Sequence, residues 1–177
     1  FGGAFLDVCI NAWDEQQKKI MPWYKRLYER IKRELGADTL VAINPGSNTR
    51  LEMMEACDIA VTYESDAQKY LDRSKTEIHP AHYDGVPSWR FWHIVHGVTP
   101  QNIEAVFDKA DSISVGHLYV TDRKFSVGAG NEEAPEENPY DMPPREFVEN
   151  RVKAWIRGVL PLEKRIAALE AALAARG

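Results

Sequence analysis

Three short apolar runs, each closed by a carboxylate, constrain this chain more than any other feature. Gly3 to Leu6 ends at Asp7 before Val8 and Cys9, Ile59 to Tyr63 ends at Glu64, and His117 to Thr121 ends at Asp122. Runs of this length, rich in β-branched and aromatic residues, read as strands, and an acid does not belong in the core they build. Three acids in the same relative position therefore place chemistry along one rim of one sheet.

Two further runs, Leu40 to Ile43 and Trp89 to Val95, bring the strand count to five. Between the first two, Pro22 opens a helix carried by Trp23, Tyr24, Leu27, Ile31 and Leu35 and stopped by Gly36, while Ile10 to Met21 reads as polar and irregular. Shorter helices are expected over Arg50 to Ala56, Asp66 to Leu71 and Gln101 to Ala110, the last after Thr99-Pro100. Asp72 to Pro87 has no clean period and reads as a long loop, a kind of segment that often carries function. Near-continuous apolar strands alternating with helices give an α/β fold with a parallel sheet. In its barrel form, active residues sit at the carboxyl ends of the strands, where Asp7, Asn44, Glu64, His96 and Asp122 fall.

At 177 residues and 44% hydrophobic content, the chain reads as one domain with a real core. A net charge of -5 offers no basic stripe for nucleic acid, and no run approaches the ~18 apolar residues of a membrane span. No strand is followed by a dinucleotide or phosphate-loop glycine motif, so no cofactor is expected. Cys9 and Cys57 lack metal-ligand spacing and read as buried thiols. Phe1 opens the chain without a methionine and Gly2-Gly3 leads at once into a strand, leaving no room for a signal peptide, so the chain reads as cut from something longer.

Two carboxylates facing one cleft are the minimum apparatus for hydrolysing a glycosidic bond. Asp7 and Glu64 meet that requirement on strands separated by one other, with backbones roughly 10 Å apart. Side chains pointing inward could reach either the retaining or the inverting separation. The plain alternative is that each acid caps a helix or pairs with a base. Ser65 or Asp66 can cap the next helix in place of Glu64, whereas Asp122 precedes Arg123 and Lys124 and reads as an ion pair. His93 and His96 lie three apart, on opposite faces of a strand, so they do not share a metal ion. His96, beside Gly97 at the strand end, could reach a substrate hydroxyl, whereas His79 and His82 read as loop residues. Among the aromatics, Trp13, Tyr63 and Tyr140 lie in loops or beside a strand-end acid and are assigned to the cleft. Asn44, Tyr119 and Asp122 complete the set of substrate-binding residues, and no metal ligand is assigned.

Beyond Asp122 a glycine-rich and then acidic loop leads to the proline-bounded turn Asn138 to Pro144, and a helical segment follows from about Arg145. Residues 1–144 form the body and 145–177 a helical segment that closes it or mediates association. Leu162, Ile166, Leu169 and Leu173 make a seam of only about two heptads.

Six short motifs occur in order: Gly-Ala-Phe-Leu-Asp (3–7), Asn-Pro-Gly (44–46), Val-Thr-Tyr-Glu (61–64), His-Ile-Val-His-Gly-Val (93–98), Leu-Tyr-Val-Thr-Asp (118–122) and Asn-Pro-Tyr-Asp (138–141). Together they resemble the spherulation-specific family four proteins. The resemblance implies a TIM-type (β/α) barrel and endo-acting hydrolysis of an N-acetylgalactosamine-containing polysaccharide, outside the cell or at its surface. It carries the family's acids to Asp7 and Glu64, and departs at Val8, where the family has a second acid, a glutamate. It also makes residues 3–7 the fourth strand, so that this chain holds the fourth to eighth. The first three βα units would then come from outside this chain, as a missing N-terminal segment or another chain.

Overall fold

A computed structural model of the protein describes residues 3–113, 115–124, 139, 140 and 143–154. Five parallel strands, β1 (Gly3–Leu6), β2 (Leu40–Ile43), β3 (Ile59–Asp66), β4 (Phe91–His96) and β5 (His117–Val120), lie side by side in chain order. Each neighbouring pair needs a crossover, supplied by α1 (Glu15–Leu35), by a 3-10 turn over Leu51–Ala56, by α2 (Ala67–Asp72) with α3 (Lys75–Ile78), and by α4 (Ile103–Ile113). A last helical stretch, α5, covers residues 146–154. The seam from Leu162 to Leu173 lies outside the described residues.

Strand alternation gives the sheet two different faces. One is covered. Around β3 to β5 it packs Tyr63, Tyr70, Val95, Phe107 and Val120 with Val148 of α5, and around β2 it packs Ile43, Met53, Ala60, Tyr83 and Phe91. The other carries Phe5, Ala42, Val61, Trp92 and Ile94. A flat sheet would set the backbones of β1 and β4 roughly 14 Å apart. The Phe5 and Trp92 rings nevertheless meet edge to face with centroids 5.8 Å apart, so this second face is concave.

The first connection differs from the sequence reading. Asp14 caps α1 by accepting from the backbone N–H groups of Gln16 and Gln17, so the helix starts at Glu15 and Pro22 lies inside it. No residue of α1 is fully buried, so water can reach the carbonyl that proline leaves unpaired. Gly36 ends the helix at φ 107, as expected. β1 is shorter than its apolar run because Val8, at φ 53, turns the chain out of the sheet. Residues 72–87 are also more structured than a loop. Ser74 and Glu77 form a capping box on α3, and a 3-10 turn at Ala81–Tyr83 puts the Tyr83 ring in the core, where its hydroxyl donates to the Thr49 carbonyl at 2.9 Å.

Candidate active site

The carboxyl ends of β1, β2 and β3 are tied together by Asn44. Its backbone N–H donates to Leu6 O at 2.8 Å and its carbonyl accepts from Cys9 N at 2.9 Å, which joins the tops of β1 and β2. Gly46, at φ 65, donates its N–H to Asn44 Oδ1 at 2.8 Å. With the amide oxygen used there, Nδ2 faces the cleft and donates to Asp7 Oδ1 at 3.0 Å and Glu64 Oε2 at 2.7 Å. Both hydrogen bonds leave the same amide nitrogen, so Asn44 bridges the two carboxylates. Asp7 Oδ1 also accepts from Val8 N at 2.9 Å.

A β-bulge decides which residue of β3 enters the cleft. Val61 pairs with Trp92, but the register then shifts and Tyr63 pairs with His93. Uninterrupted alternation from Val61 would have put Tyr63 on the concave face and Glu64 on the covered one. The bulge exchanges them, a recognised way of re-aiming a side chain beside a site. Tyr63 is consequently 3% exposed, stacked against Tyr70 and His93, with its hydroxyl donating to the Asp66 carbonyl at 3.1 Å. Burial pushes that phenol up to about 12. The Tyr63 side chain is thus packed in the core and does not line the main groove, although the residue borders the depression beside it.

On the far side of Glu64, the Tyr140 hydroxyl donates to Oε1 and itself receives a hydrogen bond from His96 Nε2 at 3.0 Å. His96 Nε2 is 3.9 Å from the same carboxylate oxygen. Tyr140 has one proton and gives it to Glu64, so Nε2 is the protonated nitrogen of His96 in this network. Burial holds the His96 imidazolium below its usual range, with Glu64 and Asp66 opposing that shift. Burial, and then the Glu64 carboxylate, raise the Tyr140 phenol well above its ordinary value. The Tyr119 ring lies beside that of Tyr140, with centroids 5.8 Å apart.

These groups line a groove of about 1080 Å³. Val8 and Cys9 bound one end, and Asp66, Lys69, Asn102 and Lys124 the other. Sequence reasoning reached Asp66 only as a helix cap, which it is, accepting from Lys69 N at 2.8 Å. It missed Lys69, Asn102 and Lys124, whose only signal was proximity to strand ends. Asp122 does not enter the groove. It accepts from the Arg145 backbone N at 2.8 Å and pairs with the Arg145 guanidinium at 3.1 Å, so it anchors the start of α5 instead of pairing with Arg123 or Lys124. Trp13 lies in an adjoining depression. His93 points to the covered face, as its spacing from His96 required, where its Nδ1 meets Tyr70 Oη at 2.9 Å and burial holds it near a pKa of about 3. Cys57 is buried and its thiol pushed up to about 12, whereas Cys9 is only half-buried at the groove's end. Among the described residues, no group of three or more His, Cys, Asp or Glu side chains could hold a metal ion, and no helix is long and apolar enough to cross a membrane.

The carboxyl ends of a parallel α/β sheet thus bring two linked acids to one groove. The chain belongs to spherulation-specific family 4, whose profile matches residues 1–137. Its fold is similar to that of Sph3 from Aspergillus clavatus, crystallised in complex with GalNAc. The TM-score is 0.52 at 14% identity, over 68% of this chain and 48% of Sph3, so the chain spans about half the length of that structure. No curated protein sequence matches it.

Proposed function

We propose that this chain carries the catalytic rim of a glycoside hydrolase acting on an amino-sugar polysaccharide of the N-acetylgalactosamine or galactosamine type. The observation that carries the reading is the pair Asp7 and Glu64, brought to one cleft by hydrogen bonds from the same Asn44 amide nitrogen at 3.0 and 2.7 Å. Asp7 is the nucleophile or electrostatic stabiliser at the anomeric carbon. Glu64 is the general acid that protonates the leaving oxygen and then the base that takes a proton from water. Asn44 and Tyr140 orient the Glu64 carboxyl from both sides. Family membership and the GalNAc bound to Sph3 support the substrate class.

The same reading makes the five strands the fourth to eighth of a (β/α) barrel, with residues 1–144 as its C-terminal portion and 145–177 as the segment that closes it or mediates association. Strands in strict chain order, all parallel and curved around one concave face, support it. In the test, Glu64→Gln lowers reducing-end release from a galactosaminoglycan by about 100-fold or more. Undiminished release would sink the hydrolase reading.

One observation favours a second reading, a carbohydrate-binding protein without turnover. Val8 lines the groove, is 88% exposed, and stands where the family has its second acid. Its side chain exchanges no proton, and a β-branched residue at φ 53 is strained. Retention on the polymer without release of reducing ends is the outcome this reading expects. Under it, Val8→Glu creates release where the native chain gives none.

A further inference from the structure

We infer that the depression beside the Asp7–Glu64 groove is a second saccharide subsite, in which the Trp13 indole stacks on a sugar ring adjacent to the one held at the acids. The inference rests on the hydrolase or carbohydrate-binding reading above and adds a place and a ring to it. The depression has a volume of about 420 Å³, within the range of small-molecule sites. It is continuous with the main groove, because Gly46, Glu64 and Ser65 line both. Gly46 lies where the two meet, in a turn at φ 65 that favours glycine.

Trp13 is built as a fixed platform. Its Nε1–H donates to the Asn48 carbonyl at 2.7 Å and its ring stands edge-on to His82 at 5.6 Å, yet the side chain remains 49% exposed. The Arg50 guanidinium sits 5.8 Å from the ring centroid over one face. A rigid, half-exposed aromatic has an electron-rich face that attracts the apolar C–H face of a pyranose at little entropic cost. Asn11, Ser47, Arg73 and Glu77 offer donors and acceptors for its hydroxyl and amino groups.

A second observation points to a ligand at the same place. Thr62, 1% exposed and in the β3 bulge, is among the residues lining the depression, and its Oγ1 has no hydrogen-bond partner among the described residues. Asn48 Oδ1, in the same lining, is also buried and unpartnered. Buried polar atoms are nearly always paired, and these two oxygens are closed off from water in the depression, so a ligand there would pair them only as the lining side chains turn toward it.

Asp7→Asn, which stops turnover and leaves the second depression untouched, is the background for the test. Binding of a dimer and a hexamer from a size-fractionated galactosaminoglycan is measured by calorimetry, with indole emission followed in parallel. Trp13→Ala weakens the hexamer about tenfold and leaves the dimer unchanged, and Trp13→Phe restores most of the loss. The hexamer, but not the dimer, shifts the emission, and that shift disappears in Trp13→Ala. Equal hexamer affinity with and without Trp13 would overturn the subsite, as would an equal loss for both oligomers. If Trp13→Ala does not fold, the emission shift and the Trp13→Phe affinity decide. Cleavage by the native chain is scored separately, so a binder without turnover still reports on Trp13.

Discussion

The upper and lower halves of the concave face are built from the same strands and have opposite characters. At the rim, Asp7, Asn44, Glu64, His96 and Tyr140 are all hydrogen-bonded to one another in a chain. Two residues earlier on β1, Phe5 is 49% exposed, and at the start of β2 Leu40 is 53% exposed, with no described element over either. Chains bury residues like these when they can, and fix polar side chains in this way only where position matters. The rim's polar side chains are therefore held in place by one another, whereas the lower face is an apolar surface without a cover among the described residues.

The comparison can be broken first at the rim. Asn44→Leu removes the amide that bridges Asp7 and Glu64 and holds the Gly46 turn. It is expected to cost about 1–3 kcal/mol of stability, because Gly46 N–H loses its acceptor and two carboxylates face each other unscreened. Cleavage falls by two orders of magnitude or more if positioning is its role. A variant that melts normally and cleaves normally would show that the rim is not the working site.

Tyr140→Phe is the next largest. It deletes a hydrogen bond to a carboxylate, a contact of about 1.5–3 kcal/mol, which is roughly a 10- to 100-fold loss in kcat/KM. It also removes the phenol that accepts from His96, so the pH profile shifts as well as the rate. A loss confined to thermal stability would make Tyr140 a structural clasp.

Much of this rim was legible in the residues, and the reasons for the misses are physical. Strand ends are marked by an abrupt change from apolar to charged side chains, so Asp7, Asn44, Glu64 and His96 could be placed from the sequence. The β3 bulge could not. Periodicity treats Tyr63 and Glu64 as alternating partners without saying which faces the cleft, and only pairing with β4 settles it. Asp122 has the same local signature as Asp7, but its partner Arg145 lies 23 residues away, across a long connection. Pro22 misled because a helix start and an exposed helix interior both tolerate proline, and Asp14 supplied a stronger start. In residues 72–87, local capping and aromatic packing hold the segment without any repeat for a periodicity argument to find.

The covered face offers a smaller effect, through pH. His93 is buried and its folded-state pKa, about 3, lies below the unfolded value of 6.5. The unfolded chain therefore takes up the proton first. The stability His93 contributes is complete above about pH 6.5 and is lost as the pH falls toward 3. The melting temperature should decline on going from pH 7 to pH 4.5, and His93→Gln should flatten that decline while lowering the value at pH 7. An unaltered slope in the variant would mean that carboxylates such as Asp58, held low by Lys32 and the Val41 N–H against its burial, account for the acid sensitivity.

The smallest effect is expected on the lower face, and it sharpens the contrast most. Leu40 is more than half exposed at the start of β2, so Leu40→Lys should change the stability of this chain by no more than about 0.5 kcal/mol. Its effect should appear in association instead. An exposed apolar face beside an open strand edge favours contact with another chain, and a lysine there disfavours it. Sedimentation at rising concentration should show less self-association for Leu40→Lys than for the native chain, at an equal melting temperature. A fall in stability of 2 kcal/mol or more would show that the lower face is covered in solution, and the two halves of the concave surface would no longer differ.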